Sequence, residues 1–145
     1  MSELHLIAQI ADQRVAIPTS SVESVVEIDA IAPVPAAPPH IAGLSALRSR
    51  VITMIDSHAA IGLPTPPRPP IAWQAIVVTI EGHLYGLIVD GIEDVVTITA
   101  EPRPVRGAMA AGWFTVSRGM SDYEGGAILH VDPAAIVEGP MVATA

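Results

Sequence analysis

Cations are scarce in this chain, and two of them stand together where they can act. Lys and Arg number 7 against 15 Asp and Glu in 145 residues, yet Arg48 and Arg50 both stand directly ahead of an apolar run at residues 51–55. That run is rich in β-branched residues and reads as a strand with both faces covered, ended by Asp56. A cationic side chain at the entrance of a rigid strand suits recognition, because loops positioned by a scaffold carry function and arginine is enriched at interface hot spots. The plainer reading is a solvated surface charge or a partner for a nearby Asp. Ile41, Leu44 and Leu47 recur at every third position just before it, the spacing of one helical turn or of a tight apolar loop.

The other groups capable of chemistry do not form a catalytic pattern. Gly43-Leu44-Ser45-Ala46-Leu47 starts like a G-x-S-x-G nucleophile elbow, but Leu47 occupies the second glycine position. His5, His40, His58, His83 and His130 lack the i, i+2 or i, i+4 pairing of metal ligands, and no glycine-rich phosphate loop precedes a helix. No cofactor or metal is expected. Asp56, Asp90 and Asp132 each end an apolar run, which capping a strand end or a helix start accounts for. A binding module fits this better than an enzyme. The alternative from another class is a hydrolase or metal-dependent enzyme on a β-barrel, using Asp56, Asp90 and one of the histidines.

The bulk properties narrow the partners. The length suits one domain or two small subdomains sharing a core. Hydrophobic residues make up 50% of the chain and aromatics 3%, so the core must be built from Val, Ile, Leu, Ala and Met. A net charge of -8 argues against nucleic acid and against direct contact with an anionic membrane. The lack of cysteine fits a reducing compartment. No secretory signal opens the chain, and no apolar run approaches the ~20 residues that span a bilayer. A cytoplasmic location is the expectation.

The elements that must position these residues read as short strands. Residues 4–10 and 15–17 are strand candidates, the second ended by Pro18, with a helical turn through Val22 capped by Thr19 or Ser20. Residues 25–28 are extended, and Pro33, Pro35, Pro38 and Pro39 make 32–40 a stiff connection. Five prolines within residues 64–70 form either a semi-rigid linker or a polyproline ligand. Strands at 76–80 and 84–89 flank Glu81-Gly82-His83. Asp90-Gly91 then makes either a two-residue hairpin or a glycine bulge in one bent strand continuing through 92–98. Residues 106–112 read as loop, and strands at 114–120 and 127–131 flank a turn at 122–126. Asp132 and Pro133 open a short helix over 132–138, with 139–145 frayed. Turn signals between short strands indicate an all-β barrel or sandwich. The proline break suggests subdomains of about 1–63 and about 71–131, joined by 64–70.

In order along nearly its whole length, the chain also resembles the CheW family of bacterial chemotaxis coupling proteins. Gly43-Leu44-Ser45-Ala46-Leu47-Arg48-Ser49-Arg50-Val51-Ile52-Thr53-Met54-Ile55-Asp56 is similar to the family's Gly-Val-x-Asn-Leu-Arg-Gly-x-Val-x-Pro-Val-x-Asp-Leu run. Ala16-Ile17-Pro18 with Val22 and Val25-Val26 resembles its Ala-Ile-Pro…Val-x-x-Val-Val segment, and Pro35 and Pro38 fall at its Pro-x-x-Pro positions. Gly86-Leu87-Ile88-Val89-Asp90-Gly91-Ile92-Glu93-Asp94-Val95 matches Gly-Leu-x-Val-Asp-x-Val-x-x-Val, and Ile128-Leu129-His130-Val131-Asp132 is like the closing Ile-Leu-Leu-Leu-Asp. The chain departs at Ala46, Ser49, Thr53 and Val15, where the family carries Asn, Gly, Pro and Tyr. Ser49 in place of glycine restricts positive φ.

The resemblance implies two intertwined, five-stranded, SH3-like barrels with short helices. It implies an adaptor joining the cytoplasmic tip of chemoreceptors to the regulatory domain of the histidine kinase CheA, at receptor arrays near the inner membrane. By position, Arg48 would contact the receptor with Leu44 and Leu47 around it, and Val22 and Val25 would face the kinase. A CheW-like adaptor of a non-chemotactic signalling system is the nearest alternative.

Overall fold

Four tight turns set the register of the molecule. Ala11-Asp12, Arg48-Ser49, Glu81-Gly82 and Glu124-Gly125 each hold both central residues at positive φ. That is the mark of the type I′ turn, whose twist matches that of the strands it joins. The computed structural model describes residues 3–64, 73–98, 101–105 and 111–139. The turns connect β1 (Glu3–Ile10) to β2 (Gln13–Pro18), β4 (Ile41–Leu47) to β5 (Arg50–Asp56), β6 (Trp73–Ile80) to β7 (His83–Ile88), and β9 (Ser117–Tyr123) to β10 (Gly126–Val131). β3 (Val22–Ile28) and β8 (Gly91–Ile98) stand between hairpins. Helices α1 (Ser57–Ala60), α2 (Ala111–Val116) and α3 (Pro133–Glu138) are short, and no helix among the described residues is long and apolar enough to cross a membrane.

The hairpins are exchanged between two sheets. One runs β8-β1-β2-β10-β9 and the other β3-β6-β7-β5-β4. Each takes its central hairpin from one half of the chain and its flanking strands from the other, so both sheets draw on both sides of residues 64–70. The halves follow one plan. β3 and β8 share a Glu-x-Val-Val-x-Ile pattern, as Glu23-Ser24-Val25-Val26-Glu27-Ile28 and Glu93-Asp94-Val95-Val96-Thr97-Ile98. Asp56 caps α1 by accepting the His58 and Ala59 N–H groups, and Asp132 caps α3 by accepting that of Ala134. Each sheet curls shut where a segment after its edge strand bridges to the far edge, Ala32 to Leu44 and Arg103 to Met120. Gly43 and Gly119 permit the closures, since a Cβ on Gly43 would overlap the Ala32 carbonyl and one on Gly119 would sit 2.9 Å from that of Arg103. The architecture is all-β, two interlocked five-stranded barrels.

Strand alternation sorts the apolar side chains into three layers. Ile7, Ala16, Ile98 and Ile128 fill the first barrel. Ile52, Met54, Ala75, Val77 and Ile88 fill the second. The outward faces meet in the largest layer, where Leu6, Ile10, Val15 and Ile17 of one sheet pack with Ile55, Ile76, Val78 and Leu87 of the other, joined by Trp113 and Ile136. Burying one such aliphatic side chain contributes roughly 1.5–3 kcal/mol, so this shared layer dominates stability. Asp90 pins its rim: one carboxylate oxygen accepts the Ala11 N–H at 2.7 Å and lies 2.6 Å from His58 Nε2.

Several local expectations are corrected. Ile41, Leu44 and Leu47 lie in strand β4 rather than in a helical turn or loop; a register shift between Ile41 and Gly43 puts Ile41 and Leu44 on one face, and Leu47 lies on the other. β5 is not covered on both faces, for Val51 is 68% exposed. Residues 111–116 are helical instead of loop and strand, because Trp113 and Val116, one turn apart, both reach the shared layer. Asp90-Gly91 is neither hairpin nor bulge; it is the crossover by which the chain leaves β7 to pair β8 with β1. Neither Thr19 nor Ser20 caps the single 3-10 turn Thr19–Ser21. The expectations for 65–70, 106–110 and 140–145 lie outside the described residues.

One polar group inside the first barrel makes stability depend on pH. His130 is buried with Ser121 Oγ 2.8 Å from its Nε2 and the His5 ring edge-on at 5.1 Å. Burial, reinforced by His5 and opposed by Glu3, pushes the His130 imidazole below its ordinary value of 6.5. The unfolded chain therefore takes up this proton more readily, so stability is lost as pH falls below about 6.5. Urea unfolding should show that loss, and His130→Gln should flatten it; an unchanged slope would remove His130 as its source. In the same assay Gly43→Ala should cost roughly 2 kcal/mol or more through strain and overlap. Gly82→Ala, with open space around it, should cost only about 1 kcal/mol.

Candidate functional site

The arginines sort themselves by partner. Arg14 bonds Glu93 at 3.0 Å, Arg103 bonds Asp122 at 3.0 Å, and Arg118 bonds Asp132 at 2.9 Å. Arg50 reaches Glu23 at 3.8 Å. Arg48 is exposed and, among the described residues, is the arginine with neither an ion pair nor a hydrogen bond. It sits at the tip of the β4–β5 hairpin with φ 52°, followed by Ser49 at φ 67°. Of the four positive-φ turns, this one has neither glycine nor an Asn or Asp, the residues that tolerate the conformation. Strain held by a rigid hairpin is a mark of functional positions.

The residues expected beside Arg48 divide between two faces. Leu47 points into the second barrel and packs against its interior layer. Leu44, paired with Thr53 and 38% exposed, stands on the opposite face of β4. The backbone of Leu44 is bridged to Ala32, so the edge of β4 is closed there and Leu44 offers its side chain alone. The fold adds neighbours that no sequence spacing signals. Glu23 and Ser24 of β3, with Leu84 of β7, join Arg48 and Arg50 around a cavity of about 150 Å³ at the mouth of the second barrel.

Val22 and Val25 come together on the outward face of the same sheet. A register shift between Val22 and Ser24 brings the two valines, three positions apart, opposite Val78 and Ile76. Val22 packs against the shared layer, whereas Val25 on the edge strand is 46% exposed.

The alternative catalytic set is absorbed by the fold. Asp56 caps α1, and Asp90 is held by Ala11 and His58. Among the described residues no group of three or more His, Cys, Asp or Glu is gathered to hold a metal.

Comparison with known proteins agrees with the fold. The profile of the CheW-like domain family matches residues 5–140. The chemotaxis protein CheW of Rhizobium meliloti (strain 1021) is 30% identical over 67 residues, which span 46% of this chain and 43% of that protein. The crystal structure of the scaffolding protein TtCheW from Thermoanaerobacter tengcongensis superposes with a TM-score of 0.77 at 24% identity, covering 91% of this chain and 90% of that one. At that identity the likeness speaks for the fold.

The Arg48-Ser49 turn carries a testable cost. Ser49→Gly should raise the unfolding free energy by roughly 0.5–1 kcal/mol, since glycine meets no Cβ clash at positive φ. A denaturation midpoint that falls instead would show that the turn is not strained.

Proposed function

This chain belongs to the CheW-like domain family, and we propose that it is a non-enzymatic scaffold coupling the cytoplasmic tip of chemoreceptors to the regulatory domain of the histidine kinase CheA. The observation that carries this reading is Arg48, an arginine with no acidic partner among the described residues of an acidic chain, presented on a strained turn. In this reading Arg48 binds the receptor, with Leu44 and Leu47 on either side of β4. A guanidinium offers a planar fork to a carboxylate, and flanking apolar surface suits a helical hairpin. Val22 and Val25 receive the kinase domain, an assignment supported by their common outward face on edge strand β3, where Val25 stands exposed. The scaffold works in the cytoplasm at receptor arrays, without direct membrane contact, and its net charge of -8 is consistent with that.

Arg48→Glu tests the reading. It should weaken binding of a chemoreceptor tip fragment by about 2 kcal/mol or more, the scale of a hot spot. Stability should change by less than about 0.5 kcal/mol, as for other exposed substitutions. Binding of the kinase regulatory domain should persist. Unchanged receptor affinity would contradict the assignment, and an unfolded mutant would make Arg48 a structural residue.

A further inference from the structure

We propose that mild acid opens one barrel and not the other: protonation of the His5 and His130 pair parts the seam of the first barrel at Arg103 and Met120, while the matching seam of the second barrel, at Ala32 and Leu44, stays shut. This device is independent of the coupling reading. The two seams are built alike. Each is a pair of backbone N–H···O=C bonds of 2.8 Å that ties one edge strand to the segment following the other. What differs is the filling beside them.

The first barrel encloses His5 and His130, 6% and 7% exposed, with ring centroids 5.1 Å apart. Counted from the capping Asp56 and Asp132, His130 takes the place of Met54. Counted from the turns at Ala11-Asp12 and Glu81-Gly82, His5 takes the place of Ala75. Met54 and Ala75 are wholly buried in an apolar layer, and neither can take up a proton. Ser121, whose hydroxyl meets His130 Nε2, directly follows Met120 on β9. A change at the histidine pair therefore reaches the seam through one peptide unit.

The surroundings of the pair set the direction. From β1, His5 opposes a proton on His130 and Glu3 favours it. The His5 ring bonds the Glu3 carbonyl at 3.0 Å, not its carboxylate. β9 offers the neutral Ser121 hydroxyl, and β2 places Ala16 beside His130. At the surface Arg103 is engaged with Asp122 at 3.0 Å, and Arg118 with Asp132 at 2.9 Å. Two imidazolium groups in contact inside an apolar barrel repel each other with little screening. Opening admits water, where an imidazole charges below about 6.5. The open form takes up the proton that the closed form holds less readily, so its share rises as pH falls through that value.

The test is native-state hydrogen exchange of the full chain, read as protection factors so that the direct effect of pH on exchange divides out. Between about pH 7 and about pH 5, protection of the Arg103 and Met120 amides should fall about tenfold, the response to one proton taken up. Protection of the Ala32 and Leu44 amides should hold. The double variant His5→Ala, His130→Met gives the first barrel the filling of the second and should abolish the difference. If that variant fails to fold, His130→Met alone should diminish it. Equal falls at both seams, no fall at either, or a fall that persists undiminished in the variant would each overturn the proposal.

Discussion

The layer of aliphatic side chains between the two sheets is the constraint on which the rest of this structure depends. Neither half of the sequence owns a complete sheet, because the β1–β2 hairpin is flanked by β8, β9 and β10, and the β6–β7 hairpin by β3, β4 and β5. Ile10, Ile17, Ile55, Ile76 and Leu87 must therefore be buried together or not at all. With few aromatics available, flat β-branched surfaces do this work, and Trp113 from α2 closes one side. Asp90 reinforces the arrangement where the chain crosses between sheets, engaging a turn of one barrel and a helix of the other.

A rigid shared layer explains how strain and exposure are tolerated at the periphery. The Arg48-Ser49 turn costs conformational energy locally, and the pairing of β4 with β5 and of β5 with β7 holds it in place. On β3 Val25 is exposed on the outward face, and on β4 Leu47 is turned to the interior. In the proposed reading, two partner surfaces on one body are what a scaffold requires, since geometry then passes from one partner to the other without a moving part.

Much of this was legible in the residues. Most strands, the turns at Glu81-Gly82 and Glu124-Gly125, the helix opened by Asp132-Pro133 and the position of Arg48 ahead of a strand follow from local chemistry. The exchange of strands does not, because alternation states which face of a strand is apolar but not which strand lies beside it. Register shifts beside Gly43 and Glu23 broke the period of two, so that the common face of Ile41 and Leu44 imitated a helical turn and that of Val22 and Val25 stayed hidden. The cavity beneath Arg48 was invisible because Glu23, Arg50 and Leu84 are distant in sequence. One signal was present and unused: the Glu-x-Val-Val-x-Ile pattern in β3 and again in β8, which marks equivalent strands in two equivalent halves.

The central claim is that one copy of this chain holds two different partners at once. It is tested most directly by sedimentation of the unaltered protein mixed with a chemoreceptor tip fragment and a CheA regulatory domain. The account predicts a complex containing all three, with receptor-fragment affinity unchanged when the kinase domain is saturating. Mutual displacement of the two partners, or failure of either to bind, would contradict it.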